Sequence, residues 1–153
     1  MSELDLTIKT TDELNPSELL EIFRERVKVF VVEQHCPYQE VDDKDFTATH
    51  VMLQRDGKLA AYTRIIKHDD GVHISFGRVL VVQEYRGHGY AKQIVSTTLQ
   101  EIAKRHPGQG VKIQAQSYLK DFYASFGFKS ISAVYLEDGI PHVDMVLEKR
   151  AQD

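Results

Sequence analysis

Two glycines enclose a histidine at residues 86–91, Arg-Gly-His-Gly-Tyr-Ala, between an apolar run that ends at Val82 and a stretch rich in helix formers. The first N–H groups of a helix have no partner within the helix, and its dipole adds positive potential there. Glycine lacks the Cβ atom that would hold an anion away from this backbone, and an arginine can pair with a further oxygen. The segment therefore predicts a site that grips a pyrophosphate with main-chain groups.

Other glycine-rich phosphate sites have a different spacing. A P-loop requires a wider glycine spacing followed by Gly-Lys-Ser/Thr, which this sequence does not contain. A dinucleotide-binding fingerprint requires a third glycine where Lys92 stands, and its strand opens the first βαβ unit instead of lying in the middle of the chain. The alternative without a ligand is that Gly87 and Gly89 only make a tight turn.

Hydrophobic periodicity predicts ten elements that would position this segment. Asn15 and Pro16 are expected to cap and open the first helix, and His106-Pro107-Gly108 to end the second. Residues 35–47, polar and acidic, are expected to form a long loop. The predicted strands are 4–9, 49–54, Lys58–Lys67, 72–82, Val111–Gln116, 128–136 and 142–147, and the predicted helices are 15–33, from 91 to the stop at 106, and 119–126.

The order β-α-β-β-β-α-β-α-β-β predicts the fold class. We expect an α/β (α+β) protein with a single mixed, mostly antiparallel sheet flanked by helices. A chain of 153 residues suits one domain with its own core, so the prediction is a single domain over residues 1–153.

The glycine segment and its neighbours resemble a known family. Residues 86–91 fit the Q/R-x-x-G-x-G/A signature of the GNAT superfamily of N-acetyltransferases. The order of elements is similar to that of this superfamily. Together with residues 119–128, Leu-Lys-Asp-Phe-Tyr-Ala-Ser-Phe-Gly-Phe, it resembles the fourth strand, third helix and C-terminal motif of that superfamily. Residues 29–42 and 134–142 resemble its ElaA-like branch. The resemblance covers nearly the whole chain and implies the GNAT (acyl-CoA N-acyltransferase) fold.

The resemblance implies acetyl-CoA as cosubstrate, bound where the fourth and fifth strands part. The pantetheine amides would pair with exposed backbone of the fourth strand, as an added strand does. The pyrophosphate would lie on the amides of the glycine segment, in which the bulky His88 departs from the usual pattern. The implied cofactor-binding residues are Leu80, Val81, Val82, Arg86, Gly87, His88, Gly89, Tyr90, Ala91 and Tyr123.

Acetyl transfer to an amine requires a base for the ammonium group and benefits from an acid for the departing thiolate. The family commonly supplies this acid as a tyrosine of the C-terminal motif, where Tyr123 stands; the alternative is that Tyr123 only packs among phenylalanines. Glu33, at the end of the first helix, is the candidate base, with a solvated helix end as the alternative. An N–H group near Leu80 or Val81 is expected to stabilise the oxyanion.

Other polar residues have a structural and a functional interpretation. We expect His50 to be a structural histidine, His142 and Asp144 to face water, and Cys36 not to act as a nucleophile. An acidic loop over the acceptor pocket would favour a cationic amine, whereas the alternative is a solvated loop. The loop acids are Glu40, Asp42, Asp43 and Asp45. The seven histidines do not have the spacing of metal ligands, so we predict no catalytic metal.

Composition bounds the partners and the compartment. A net charge of −4 with both signs mixed along the chain argues against a nucleic-acid binder. No run approaches the roughly 20 apolar residues of a membrane span, and the N-terminus does not have the pattern of a signal peptide. With one cysteine, no intramolecular disulfide can form. We therefore predict a cytoplasmic protein whose acceptor is a small-molecule amine or a peptide amino group, and which can form a homodimer.

Three functions stay open at this point. The first is an acetyl-CoA-dependent N-acetyltransferase in which a primary amine attacks directly in a ternary complex. The second is a non-catalytic CoA-binding module. The third is an acyl-homoserine-lactone synthase, because Arg26-x-x-x-Phe30 followed by Glu40-x-Asp42-x-x-Asp45 loosely resembles the N-terminal signature of those enzymes, although the tryptophan of that signature cannot be supplied. The intact glycine segment and Tyr123 favour the first function.

Overall fold

The structure, a computed structural model, describes residues 4–148. These residues form eight strands and three α-helices. The strands are β1 (Leu4–Thr10), β2 (Thr49–Arg55), β3 (Lys58–Lys67), β4 (Ile74–Val81), β5 (Val111–Gln116), β6 (Lys129–Ser130), β7 (Tyr135–Glu137) and β8 (Ile140–Leu147). The helices are α1 (Pro16–Val27), α2 (Tyr90–Arg105) and α3 (Lys120–Ala124).

All eight strands belong to one mixed sheet, ordered β1-β2-β3-β4-β5-β8-β6, with β7 paired to β8. Every strand pair is antiparallel except β4 and β5, which run parallel. The predicted mixed, mostly antiparallel sheet flanked by helices is confirmed.

Side chains alternate between the faces of the sheet and form two cores. On one face, Ile94 and Val95 of α2 pack with Val51 and Leu53 of β2. On the other face, Ile22 of α1 belongs to a second cluster with its neighbours from β2, β3 and β4, namely Met52, Leu59, Tyr62 and Leu80. Burial on both faces explains why the central strands read as continuous apolar runs.

The first helix begins as its sequence predicts. The Asn15 side chain accepts a hydrogen bond from the Glu18 N–H at 2.8 Å, and the Glu18 carboxylate accepts one from the Asn15 N–H at 2.9 Å. After Val27 the chain changes to a π-helical segment, Lys28–Glu33, which the periodicity did not predict. Such π turns are rare and often lie at functional sites.

Several predicted boundaries differ from the structure. The predicted strand 72–82 begins two residues later, because residues 68–73 form a turn in which the Asp70 carboxylate accepts hydrogen bonds from the Val72 and His73 N–H groups. The predicted strand 128–136 is split into β6 and β7. The predicted helix 119–126 is a 3₁₀ turn at Ser117–Leu119 followed by the short α3.

Candidate functional site

The two parallel strands of the sheet stay together at one residue pair only. Ile74 of β4 pairs with Val111 of β5, and beyond this pair β5 continues along β8 instead. The predicted parting of the fourth and fifth strands is therefore confirmed. A cavity of about 900 Å³ occupies the gap and is lined by β4, β5, the start of α2, the segment before α3, the π-helical segment and the turn between β7 and β8.

A β-bulge bends β4 at the edge of this gap. The register with β3 shifts between Tyr62 and Arg64, and Arg78 of the bulge has φ 53°. A non-glycine residue in this left-handed region is strained and often lies at a functional site. The Arg78 guanidinium donates a hydrogen bond to the Glu40 carbonyl at 2.9 Å, which anchors the bulge to the loop before β2. Sequence reasoning missed this bulge, although Gly77, an isolated glycine inside the strand pattern directly before Arg78, is a signal that could have found it.

The bulge leaves one edge of β4 open toward the cavity. The Val82 N–H donates to the Ala60 carbonyl of β3 at 2.8 Å. Because backbone groups along a strand alternate between its two edges, those of Leu80 also face β3 and those of Val81 face the gap. This corrects the prediction that Leu80, Val81 and Val82 all offer backbone groups to a ligand. Only the Val81 groups are free of β3, so the expected oxyanion donor is assigned to Val81 and not to Leu80.

The glycine segment closes one end of the cavity at the start of α2. Gly87 and Gly89 have φ 88° and 78°, and a Cβ atom built at either position would meet no heavy atom within 4 Å. The first intrahelical bond of α2 is donated by Gln93 to the Gly89 carbonyl at 3.2 Å. The N–H groups of Tyr90 and Ala91 precede this bond and have no acceptor within the helix. Open space and unpaired donors together make this segment suitable for an anion.

Arg86 engages the protein itself in this structure. Its Nε donates to the Val81 carbonyl at 2.9 Å, and its Nη2 donates to the Glu33 carboxylate at 3.0 Å. The guanidinium thus joins the π-helical segment to the open edge of β4. His88, the departure from the family pattern, is exposed and packs its ring beside Tyr90 at a centroid distance of 5.6 Å. An outward His88 leaves the backbone of the segment accessible.

Tyr123 lies on α3 at the wall of the cavity and is 5% exposed. Its ring packs on Phe76 and Phe128 with centroid distances of 6.3 and 6.1 Å. Burial raises the pKa of the Tyr123 phenol well above its ordinary value. The phenol therefore keeps its proton at neutral pH, as a proton donor must.

The wall opposite β4 is polar and comes from β5, β8 and the π-helical segment. Gln34 and Gln116 exchange amide hydrogen bonds at 3.3 and 3.4 Å. His142, paired with Gln116 across β5 and β8, also lines the cavity and is only partly exposed. The prediction that His142 faces bulk water is wrong, because the parting of β4 and β5 gives this face of the sheet a cavity. Asp144 instead accepts a hydrogen bond from the Tyr135 hydroxyl at 2.5 Å.

Arginine side chains engage three of the four loop acids, Glu40, Asp42 and Asp45, which corrects both the solvated and the cation-attracting interpretation for these three. Arg26, 0% exposed, donates to Glu40 at 2.9 Å and to Asp45 at 2.7 Å. Arg64 of β3 pairs in the same way with Asp42 at 2.7 Å. Burial alone would raise the pKa of Asp45, but the Arg26 hydrogen bonds outweigh it and hold the pKa at about 2. Asp43, in contrast, is exposed at the start of a 3₁₀ turn, Asp43–Phe46.

His50 and Cys36 have structural partners. His50 is 0% exposed, and its ring nitrogens lie 2.8 Å from Thr11 Oγ1 and 2.6 Å from the Tyr62 hydroxyl. Burial lowers its pKa to about 4, so the ring is neutral and the predicted structural role is confirmed. Cys36 is buried, and its thiol donates to the Asp138 carbonyl at 3.3 Å.

Residues 4–148 contain neither a metal-binding cluster nor a membrane-spanning helix. Within residues 4–148 no group of three or more histidine, cysteine or acidic side chains is arranged to hold a metal ion. Over the same residues no helix has the length and apolar character needed to cross a bilayer.

Comparisons with known proteins agree with this geometry. The acetyltransferase (GNAT) domain family matches residues 13–149. The chain is 42% identical over 139 residues to protein ElaA of Escherichia coli, covering 89% of this chain and 91% of that protein. It is 40% identical over 153 residues to a UPF0039 protein of Schizosaccharomyces pombe, covering 97% of this chain and 99% of that protein.

Solved structures extend the similarity to the fold. The crystal structure of E. coli ElaA superimposes with a TM-score of 0.89 at 38% identity and covers 95% of this chain and 100% of that chain. An acyl-CoA N-acyltransferase from Pseudomonas aeruginosa superimposes with a TM-score of 0.88, also at 38% identity, and covers 94% of this chain and 99% of that chain. The predicted resemblance to the ElaA-like branch is confirmed, and the chain belongs to the GNAT family of acetyltransferases.

Proposed function

We propose that this protein is an N-acetyltransferase that moves the acetyl group of acetyl-CoA to a primary amine by direct attack in a ternary complex. Acyl transfer is the general chemistry of its family and fold. The observation that carries the finer proposal is the parting of β4 and β5 beside the unpaired N–H groups at the start of α2. This arrangement offers a place for a diphosphate and a slot for the thioester arm.

The residues present fit acetyl-CoA. Gly87 and Gly89 leave open space above their backbone, which any side chain would fill. The N–H groups of His88, Gly89, Tyr90 and Ala91 would bind the pyrophosphate together with the positive end of the α2 dipole. The Val81 carbonyl, which accepts a hydrogen bond from Arg86 in this structure, would accept one from a pantetheine amide N–H instead, as an added strand does.

The chain supplies two groups to the reaction itself. The amine nitrogen attacks the thioester carbonyl carbon, and the Val81 N–H would stabilise the negative charge that develops on the carbonyl oxygen. As the C–S bond breaks, the Tyr123 hydroxyl donates its proton to the departing sulfur. Tyr123 regains a proton from solvent afterwards.

Glu33, predicted as the base, lines the cavity, but both of its carboxylate oxygens accept hydrogen bonds from Arg86 at 3.0 and 3.2 Å. Its role as base stays a prediction, to be tested beside the histidine discussed below. The acceptor is proposed as a small-molecule amine or a peptide amino group. The cytoplasmic location and a homodimer also stay predictions.

One assay tests the proposal. Purified protein is incubated with acetyl-CoA and each of spermidine, glucosamine and a short peptide with a free N-terminus and a lysine, while free thiol is followed over time. Acetyl-CoA binding is measured separately by calorimetry. Thiol release that depends on an amine, with one acetyl group found on that amine by mass spectrometry, supports the proposal. Binding without turnover on any amine would support a CoA-binding module instead, and turnover only with an acyl carrier protein would support a lactone synthase.

A further inference from the structure

His142 presents a free ring nitrogen to the cavity. Its Nδ1 lies 2.7 Å from the Ile140 carbonyl oxygen. Because a carbonyl oxygen only accepts hydrogen bonds, Nδ1 carries a proton, and Nε2 of the neutral ring then carries a lone pair. Within the part of the chain that the structure describes, no hydrogen bond engages Nε2, while the residue lines the cavity.

Neighbouring side chains hold the ring in this orientation. The Tyr135 ring stacks on His142 with a centroid distance of 6.2 Å and an interplanar angle of 25°. Tyr135 is fixed in turn by its hydrogen bond to Asp144 at 2.5 Å. The turn Asp138–Gly139 has φ 51° and 77°, the pattern of a tight two-residue hairpin turn, and sets Tyr135 opposite His142. A ring fixed in one tautomer and one orientation is prepared for proton transfer.

His142 and Tyr123 approach the cavity from opposite faces of the sheet. Val143 and Met145, the neighbours of His142 along β8, point into the same core as Tyr123. Side chains alternate along a strand, so His142 lies on the other face. Both residues nevertheless line one cavity, because the gap between β4 and β5 passes through the sheet. A base on one face and an acid on the other match an amine that arrives on one side of the thioester while sulfur leaves on the other.

We propose that His142 is the general base of the reaction, an inference that rests on the proposed acetyl transfer. Nε2 accepts a proton from the bound ammonium and passes it to solvent. The neutral nitrogen then attacks the carbonyl carbon, the C–N bond forms, and Nε2 accepts the second proton that the nitrogen loses. The C–S bond breaks, and the thiolate takes the Tyr123 proton. Solvent returns a proton to Tyr123 and removes one from His142, so each transfer yields the amide, free CoA thiol and one net proton.

Other titratable groups surround His142 and would change its response to pH. Tyr135 and Asp144 flank it on the sheet, and the remaining groups line the same cavity. These are Glu33, Cys36, Tyr38, Asp42, Lys44, Arg64, Asp69, Arg78, Arg86, Tyr90, Tyr118, Tyr123, Glu137 and Asp138. Glu33 is held by Arg86, and the Cys36 thiol is bound to the Asp138 carbonyl. Among the described residues that line the cavity, His142 is the only histidine, and its Nε2 makes no hydrogen bond.

The kinetic test uses His142→Gln, which keeps a polar side chain without a titratable lone pair. The amine that turns over fastest in the panel above is the acceptor, at saturating acetyl-CoA and from about pH 6 to about pH 9. Glu33→Gln is the rival variant, and His68→Gln, in the turn before β4 and outside the cavity, is the matched control. Far-ultraviolet circular dichroism and the acetyl-CoA dissociation constant monitor folding and donor binding.

His142→Gln is expected to lower kcat/KM about 100-fold or more near neutral pH, the usual range for a lost general base. Its residual rate should rise about tenfold per pH unit, because the variant depends on the fraction of amine that is already deprotonated in solution, and that fraction rises tenfold per pH unit below the amine pKa. Acetyl-CoA affinity should stay within about twofold of the unsubstituted protein. The proposal would be overturned if His142→Gln lost less than about threefold in kcat/KM and kept a pH profile parallel to that of the unsubstituted protein. It would also be overturned if Glu33→Gln, and not His142→Gln, showed the large loss and the steep rise with pH.

A second measurement needs neither turnover nor a variant enzyme that folds. Nitrogen-15 NMR of the unsubstituted protein reports which ring nitrogen of His142 carries the proton, and His142→Gln serves only to assign the signal; if that variant does not fold, selective labelling and sequential assignment replace it. We expect the Nδ1–H tautomer at neutral pH. The Nε2–H tautomer would overturn the inference. If His142 has the Nδ1–H tautomer but no amine of the panel is acetylated, the proposed function fails, and the role of His142 as base fails with it.

Discussion

Arg86 donates a hydrogen bond to the Val81 carbonyl while its other end is held by Glu33. The guanidinium therefore lies on the very strand edge that a pantetheine amide would use, and away from the phosphate position that the sequence predicts for it. The proposed binding of acetyl-CoA would have to draw Arg86 out of this arrangement or share the Val81 oxygen with it. The ion pair with Glu33 opposes that movement.

Glu33→Gln is accordingly expected to tighten acetyl-CoA binding. Removal of the carboxylate frees Arg86 for a phosphate oxygen, and exposed ion pairs of this kind contribute up to about 1 kcal/mol, or about fivefold in affinity. Glu84→Gln removes the same charge from an exposed neighbour of the segment that has no bond to Arg86. Calorimetry at low and high salt compares the two. An equal gain in both variants would show that charge alone, and not the ion pair, controls the affinity.

Tyr123→Phe should separate the role of Tyr123 as proton donor from its role in packing. The ring contacts with Phe76 and Phe128 are kept, so the melting temperature should change little. Loss of the proton donor should lower kcat about 100-fold and leave the acetyl-CoA dissociation constant within about twofold. Tyr85→Phe, at a residue that packs on both cores outside the cavity, should keep full activity. Unchanged turnover by Tyr123→Phe would assign Tyr123 to packing only.

His50 should make the folded state sensitive to mild acid. Its folded pKa of about 4 lies below the ordinary 6.5, so the unfolded chain binds the proton first. The free energy of unfolding is expected to be highest above about pH 6.5, where His50 is neutral in both the folded and the unfolded state. It decreases as the pH falls toward about 4, by at most about 3 kcal/mol. NMR titration of the His50 ring tests the pKa, and urea unfolding across this range tests the stability. A ring that titrates near its ordinary pKa would contradict the buried hydrogen bonds to Thr11 and Tyr62.

Asp45 acts in a lower pH window. Its folded pKa of about 2 lies below the ordinary 3.8, so its stabilising ion pair is complete above about pH 4 and is lost as the pH falls through about 2, by about 2 kcal/mol. Asp45→Asn leaves the buried Arg26 short of charge and should cost about 3 kcal/mol near neutral pH. Asp43→Asn, exposed on the same turn, should stay within about 0.5 kcal/mol. Equal unfolding free energies for the two variants would argue against the buried network.

Features that depend on a few adjacent residues could be predicted from the sequence. The Asn15-Pro16 cap and the turn made by Gly87 and Gly89 before α2 each carry a local signal, and each forms in the structure. The mixed, mostly antiparallel sheet followed from the order of the elements, and the GNAT fold followed from the resemblance to that superfamily.

Features that depend on distant partners could not be predicted. The acidic loop allowed both a solvated and a cation-attracting interpretation, because the arginines that bind it lie far along the chain. Asp45 is bonded to Arg26, 19 residues away, and Asp42 to Arg64, 22 residues away. The bulge at Arg78 is held by Glu40, 38 residues away. His142 alternates with apolar neighbours as a solvent-facing residue does, and only the gap between β4 and β5 turns that face into a cavity wall.

Calorimetric titration of acetyl-CoA into three proteins tests the central claim most directly. Gly89→Asp and Gly57→Asp introduce the same side chain at φ 78° and 80°, each with no heavy atom within 4 Å of the new Cβ, so their backbone strain is matched. Gly57 lies in the turn between β2 and β3 and does not line the cavity. We predict tight binding by the unsubstituted protein, the same binding by Gly57→Asp, and a loss of at least about tenfold for Gly89→Asp, where a carboxylate meets the anion site. Equal affinity for all three proteins, or no heat of binding to the unsubstituted one, would contradict the account.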